Sequence, residues 1–264
     1  MKIRLLLTGL FVCASVASRA AVPLTESTFT EIIKEANVVA ATTKAVTRAV
    51  TNQVFRAPDL VRTGPNSRLE MTAPDKTITR IGENSVFTFE EGERSIRLEK
   101  GSVLFHPPAG VGGGKVKYGG TAAAVLGTTM VCAVGPGGVF NIVVLEGEAL
   151  VTLANGKSVQ VGPGQTVNVS SGGDSFSPVM AVHLGQFASH LVLIRGFSNP
   201  LSSMSLIQAA IEQQNADVAA GKVIHFAPPQ MVGGGLEMVL NQFSDVSSLN
   251  VNTPDNTTVF VSPD

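Results

Sequence analysis

From Pro58 onward the chain is a succession of short runs suited to a pleated backbone, each closed by Gly, Pro, Asn or Asp. SRLEM, TITRI, SVFTFE, SIRLE, SVLFH, KVKY, TAAAVL, TTMVCAV, VFNIVVLE, ALVTL, SVQV and TVNV follow one another. Runs rich in β-branched and aromatic residues between turn formers read as strands. About a dozen of them, uninterrupted by a long helix, exclude a parallel sheet, whose crossovers need helix-length connections. The expectation is therefore an all-β, antiparallel core of jelly-roll or β-roll type over residues 58–172. Asn155-Gly156, between ALVTLA and KSVQV, predicts a two-residue hairpin, since both residue types tolerate positive φ. Gly162-Pro163-Gly164 then opens the last strand of the series.

The flanks read differently. Phe29, Ile32, Ile33 and Ala36 fall at helical spacing behind Thr25 and Ser27, which predicts a short helix. Between Val38 and Phe55 two patterns compete: Val46, Val50 and Val54 suit one helical face, while the Thr and Val content suits strands. Residues 21–57 are thus expected to hold an N-terminal helix and lead-in strands. After His183 the period changes again, with Leu184, Phe187, Ala188, Leu191 and Ile194 on one helical face that ends near Gly196. Met204, Ile207, Ala210 and Ile211 line a second helix that fades by Gly221, so two amphipathic helices are expected over 183–221. Residues 222–264 turn to PPQ, GGG and Ser, Asn and Thr with few charges, the composition of a flexible tail. NVS at Asn168 and NTT at Asn256 fit the glycosylation triplet, which is common by chance.

At the start, MKIRLLLTGLFVCASVASRAAVP places Lys2 and Arg4 before an apolar core from Leu5 to Ala17 and a small-x-small site at Ser18-Arg19-Ala20. That order is a secretory signal over residues 1–20, and its apolar run falls short of the ~20 residues a spanning helix needs. A lipid anchor at Cys13 would need a small residue before the cysteine, where Val12 stands. The expected destination is the periplasm or the extracellular space, with no membrane segment left after cleavage. Cys132 would then be the one cysteine of the mature chain, unable to form an internal disulfide and suited to a small buried hydrophobe.

Several chemistries are excluded or disfavoured. A formal net charge of -1 without a basic block gives no footprint for nucleic acid. With Trp 0 and Tyr 1, base or sugar stacking would rest on Phe alone. His106, His183, His190 and His225 show no metal-ligand spacing, and the chain lacks a nucleophile elbow, a P-loop and a dinucleotide fingerprint. GVGGGKVKYGG, from Gly110 to Gly120, resembles a phosphate cradle but has no helix to follow it, so it reads as a hairpin tip. Glu90, Glu91 and Glu93 around Gly92 read as a solvated turn. No catalytic residue, cofactor or metal is expected; an enzyme would be signalled by a pocket with two titratable groups of shifted pKa.

TAAAVLGTT, Thr121 to Thr129, fits a tightly packed strand with a bend at Gly127, because small side chains let a second backbone layer come close. The competing reading is an exposed run on which a partner's strand docks.

Taken in order, VRTGPNSRLEM (61–71), IGENS (81–85), LEKGSV (98–103), AVLGTTM (124–130), VLEGE (144–148) and VGPGQ (161–165) resemble the landmarks of the FecR domain, over about residues 60 to 170. The resemblance implies an all-β extracytoplasmic module that recognises something and signals by contact, without catalysis. Its motif positions here are Thr63, Gly64, Ser67, Gly82, Ser85, Gly101, Gly127, Thr128, Glu146, Gly147, Gly162 and Gly164, with an expected structural role. The family's founding regulator carries a sigma-factor-binding segment and a membrane helix before the domain, where this chain has a signal. Sigma-factor control and iron-citrate binding therefore do not carry over. The expected function is an interaction or sensory module of the periplasm or envelope with a protein partner. The alternative is a structural envelope or matrix protein assembled through its C-terminal helices.

Overall fold

The computed structural model describes residues 22–227. The signal with Cys13, and residues 228–264 with Asn256, lie outside the described residues. β-Branched and aromatic runs form β1 (Glu26–Ile33), β2 (Ala36–Val39), β3 (Val46–Arg48), β4 (Val54–Arg56), β5 (Leu60–Thr63), β6 (Arg68–Thr72), β7 (Ile78–Ile81) and β8 (Val86–Phe89). There follow β9 (Ser95–His106), β10 (Gly114–Tyr118), β11 (Thr121–Val125), β12 (Thr129–Val134), β13 (Phe140–Glu146), β14 (Ala149–Thr152), β15 (Ser158–Val161), β16 (Gln165–Val169) and β17 (Met180–Ala181). SIRLE and SVLFH are one continuous strand, β9, and LVRT adds β5, which the run-by-run reading did not name.

One ladder runs β4-β1-β6-β7-β9-β12-β13-β16-β17. The other runs β3-β2-β5-β8-β9-β10-β11-β14-β15. β9 belongs to both, because Ser95 to Lys100 pairs in the second sheet and Gly101 to His106 in the first. Most long strands behave likewise: β1 leads into β2, β5 into β6, β7 into β8, β11 into β12, β13 into β14 and β15 into β16, each time passing from one sheet to the other. The result is a meander of bent strands folded over on itself. Several pairings join strands distant in the chain order, β1 with β6, β9 with β12 and β13 with β16 among them, because each bent strand lies along the next bent strand in both sheets. The sheet is also mixed where a wholly antiparallel one was expected. β10 pairs parallel to β9, Lys115 opposite Ser95, because the loop 107–113 carries the chain back to where β9 began.

Between the sheets lies one core, in which Phe29, Phe55, Phe87 and Phe89 pack ring against ring. Phe29 explains why β1 stands where a helix was expected. Pairing between β1 and β6 shifts register between Phe29 and Glu31, so a bulge breaks the strand's alternation and produces apolar spacing of three that imitates a helix. With β4 and β6 bonded on either side, the strand also satisfies backbone groups that a lone turn of helix would leave to water. Val46 and Val54, placed on a possible helical face, instead sit on the edge strands β3 and β4. Cys132 is fully buried in the same core, and burial pushes its thiol well above the usual range.

The outer face of the first sheet carries a second apolar cluster. Leu104, Val131, Ala133, Val143 and Leu145 are covered by α1 (Leu184–His190), α2 (Val192–Arg195) and α3 (Met204–Ala219). The first expected helix is split at Leu191, whose ψ of 113° is extended and whose side chain stays buried. α3 fully buries Ile207 alone. Among the described residues no helix is long and apolar enough to cross a membrane. The first residues of the expected tail are tied down, since Ala181 N donates to His225 O at 2.8 Å and Ala227 N to Ala181 O at 2.7 Å.

The hairpin at Asn155-Gly156 is present with a different turn. Only Gly156 has positive φ, at 81°, and Gly156 N donates to Leu153 O while Leu153 N donates to Lys157 O. This is a three-residue loop with a left-handed glycine at its end. A Cβ on Gly156 would meet nothing within 4 Å, so the cost of a substitution is conformational. Gly156→Val is expected to destabilise by about 1–2 kcal/mol and Gly156→Asn by much less, read from urea midpoints.

Candidate functional site

The residues that carry the FecR resemblance fall at the bends between the sheets. At the bends joining β5 to β6 and β7 to β8, Thr63 Oγ1 donates to Gly82 O at 2.6 Å and accepts from Ser85 N at 2.9 Å. Ser85 Oγ accepts from Ser102 N at 3.0 Å, and Gly82 N donates to Ser102 O at 3.0 Å. Ser67 Oγ accepts from Glu35 N at 3.1 Å, and Gly64 N donates to Glu35 O at 3.1 Å. Gly101 kinks β9 with φ 85° directly against Ser85. On the other side, Thr128 Oγ1 donates to Glu148 O at 3.0 Å and accepts from Glu148 N at 3.2 Å, beside Gly147 at φ 75°. Gly127 has φ 62° and its α-carbon backs onto Ala109, Gly162 N donates to Gln165 Oε1, and Gly164 N donates to Val144 O. These contacts hold neighbouring bends together through backbone groups, and none of the motif residues lines the groove described next.

That groove lies on the outer face of the second sheet, which no helix covers among the described residues. Alternation along β11 sends Thr121, Ala123 and Val125 into the core and turns Ala122 and Ala124 outward. Across the sheet, Lys115, Ala124, Leu150 and Gln160 stand opposite one another in turn, and Lys117, Ala122, Thr152 and Ser158 form the next row. At the first row the small Ala124 side chain between longer neighbours floors a trough of about 1040 Å³, lined by Lys115, Ala124, Leu126, Glu148, Leu150 and Gln160 among others. Leu126 is 80% exposed and Leu150 49%. TAAAVLGTT therefore does both of the things considered for it: one face packs and the other floors a groove.

The rims are charged. Lys117 Nζ donates to Glu93 Oε2 at 2.7 Å and also pairs with Glu90. Burial alone would lower the Lys117 ammonium pKa, but these carboxylates hold it above its usual value. Lys115 makes no ion pair among the described residues. Glu148 Oε2 accepts from Gln160 Nε2 at 2.6 Å. Arg94 is spoken for, with Asp75 at 2.6 Å and the carbonyls of Gly113 and Val22 around it. A trough of this kind offers apolar contact flanked by the cations of Lys115 and Lys117 and the carboxylates of Glu93 and Glu148, which suits holding an extended chain.

Two titratable groups with shifted pKa do occur together, away from the groove. Thr129 Oγ1 lies 2.9 Å from His106 Nδ1, 2.6 Å from Glu146 Oε1 and 2.7 Å from Ser203 Oγ. Burial lowers the His106 pKa and raises that of Glu146. All four side chains are buried between the first sheet and the start of α3, where they fasten the helix. Glu146 was legible as a motif position; its partners, far apart in sequence, were not. Among the described residues no group of His, Cys, Asp and Glu is placed to hold a metal.

A second fastening lies nearby. Arg80, fully buried, donates from Nε to Glu70 Oε2 at 2.8 Å and from its terminal nitrogens to the carbonyls of Leu193, Ile194 and Asn199. Its guanidinium lies 4.5 Å over the Phe197 ring, and Thr30 Oγ1 donates to Glu70 Oε1.

A family model described as FecR protein matches residues 59–150, from the residue before β5 to the second residue of β14. Two crystal structures of a candidate anti-sigma factor from Parabacteroides distasonis resemble the fold. Both are 16% identical over 46% of this chain, with TM-scores of 0.41 and 0.40. The matched part spans 59% of that protein's chain. Among curated proteins no sequence matches.

Proposed function

We propose that this chain is a FecR-like, non-enzymatic interaction or sensory module of the periplasm or cell envelope, and that it holds an extended segment of an envelope partner in the trough over Ala124. The FecR match over residues 59–150 supports a regulatory or sensory class. The signal-like start supports export. The observation that carries the site is the asymmetry of the two sheets among the described residues: helices cover the first, while the second carries a trough with exposed Leu126 and Leu150. Assembly through the C-terminal helices is the weaker reading, since Leu184, Phe187, Leu191 and Ile194 are already buried on the chain's own sheet.

A photo-crosslinking residue in place of Ala124, in cells, tests the proposal. One discrete envelope partner is expected from Ala124 and none from exposed Lys100, and Leu150→Glu should cut the yield at least fivefold. Identical adducts from both positions, or no adduct from Ala124, would overturn it.

A further inference from the structure

We propose that the rim where both sheets end, carried by the edge strands β3 and β4, is a docking surface for a lipid bilayer with anionic headgroups. The proposal goes beyond the reading of the trough and does not rest on it. The trough's strands β10, β11, β14 and β15 lie at the other end of the second sheet from β3, so lipid on the rim does not occupy the trough.

The apolar part of the rim is three valines. β3 (VTR) pairs with β2 alone and β4 (VFR) with β1 alone, so each is the last strand of its sheet. Every residue of β3 is exposed, which leaves this strand standing beyond the core. Val46, Val50 and Val54 are 61%, 58% and 39% exposed, and none of them belongs to either core cluster. The spacing of four that imitates a helical face is produced by two sheet edges and the loop between them.

Cations surround the valines. Strand pairing puts Arg48, Asn37 and Arg62 in one row across β3, β2 and β5, and Val46, Val39 and Leu60 in the next. Residues two apart on a strand share a face, so Val46 stands beside Arg48. Arg48 Nη2 donates to Lys34 O at 3.3 Å, which ties the turn between β1 and β2 to this end of β3, and Lys44 precedes Val46 at the other end. Lys34, Lys44, Arg48 and Arg62 are exposed and form no ion pair among the described residues. Nearby carboxylates are engaged: Glu26 with Arg56 at 3.0 Å, Glu35 with Asn37 Nδ2 at 2.9 Å, and Asp59 with Ala41 N at 3.0 Å. The rim thus carries uncompensated positive charge on a chain whose formal net charge is -1.

A bilayer fits this arrangement better than a protein strand. Edges three residues long offer few backbone groups to an added strand. The valines are interleaved with cations and project from the rim, so they form no groove for a peptide side chain. Isolated apolar side chains that enter the boundary between headgroups and acyl chains, ringed by Lys and Arg that reach the phosphates, are how a protein without a spanning helix holds a membrane surface.

The test is co-sedimentation of the full chain, purified after export, with vesicles of phosphatidylglycerol and phosphatidylcholine in equal parts and with vesicles of phosphatidylcholine alone. At least tenfold stronger partition into the anionic vesicles is expected, falling steeply with added salt. Arg48→Glu together with Arg62→Glu should cut that partition at least tenfold, and Val50→Ser together with Val54→Ser at least threefold. Lys157→Glu together with Lys222→Glu makes the same charge change at exposed positions off the rim and should leave partition within about twofold. An unchanged melting temperature checks that each variant folds. Equal partition into both vesicle types, equal losses from the two charge-reversed pairs, or no effect of the valine pair would overturn the proposal. So would a dimer in light scattering that the valine pair abolishes, which would assign the rim to a second copy of the chain. Crosslinking from Ala124 reads the trough separately, so either claim can fail without the other.

Discussion

Replacing Arg80 by Met is expected to destabilise the protein by about 3–5 kcal/mol, the cost typical of leaving one partner of a buried ion pair alone. Glu70, whose side chain is 7% exposed, would keep Thr30 but lose its guanidinium. The carbonyls of Leu193, Ile194 and Asn199 would lose their donor at the same time, and Phe197 its cation. Because Arg80 stitches the 191–199 segment to β7 and β6, the loss should appear in two readouts: a lower urea midpoint, and faster proteolysis at Arg195. The double variant Arg80→Met, Glu70→Leu removes the orphaned charge as well and should recover part of the stability, since an apolar replacement of a whole buried pair is often neutral. A single variant that melts like the parent would mean that water reaches Glu70.

Gly101→Val should cost on the order of 3 kcal/mol or more. Two terms combine there. The φ of 85° is a conformation a β-branched residue avoids, and a Cβ at this point would run into the Cα and Cβ of Ser85. Ser85 cannot give way freely, because its Oγ accepts from Ser102 N and its own N–H donates to Thr63 Oγ1. Gly156→Val is the matched control, with φ 81° and nothing nearby, so the difference between the two midpoints isolates the packing term. Equal losses would show that the bend in β9 can move aside.

Eleven of the twelve strands between Leu60 and Val169 were legible because alternation and turn chemistry are local; β5 was not. Gly127, Gly147 and Gly164 all have the positive φ that makes a glycine worth noticing in a sequence. The helix expected at Phe29 shows the limit of the same reasoning, since a bulge in β1 mimics helical spacing and only β4 and β6 alongside reveal the strand. Asn155-Gly156 marked a hairpin correctly but not its loop length, which the register of β14 and β15 sets.

What the sequence determined by itself is thus the β class, the places where the chain bends, the helical segment after His183 and the resemblance carried by the bend residues, all properties of neighbours along the chain. Which sheet each strand joins was decided by the tertiary structure alone. So were the continuity of β9 through Gly101, the outward turn of Ala124 into a trough, and the meeting of His106, Thr129, Glu146 and Ser203. The physical reason is sequence separation: Arg80 reaches Leu193 across 113 positions, and Thr129 reaches Ser203 across 74. Such a contact forms only after the sheet has folded over to bring the two ends together, and no local pattern of side chains records it.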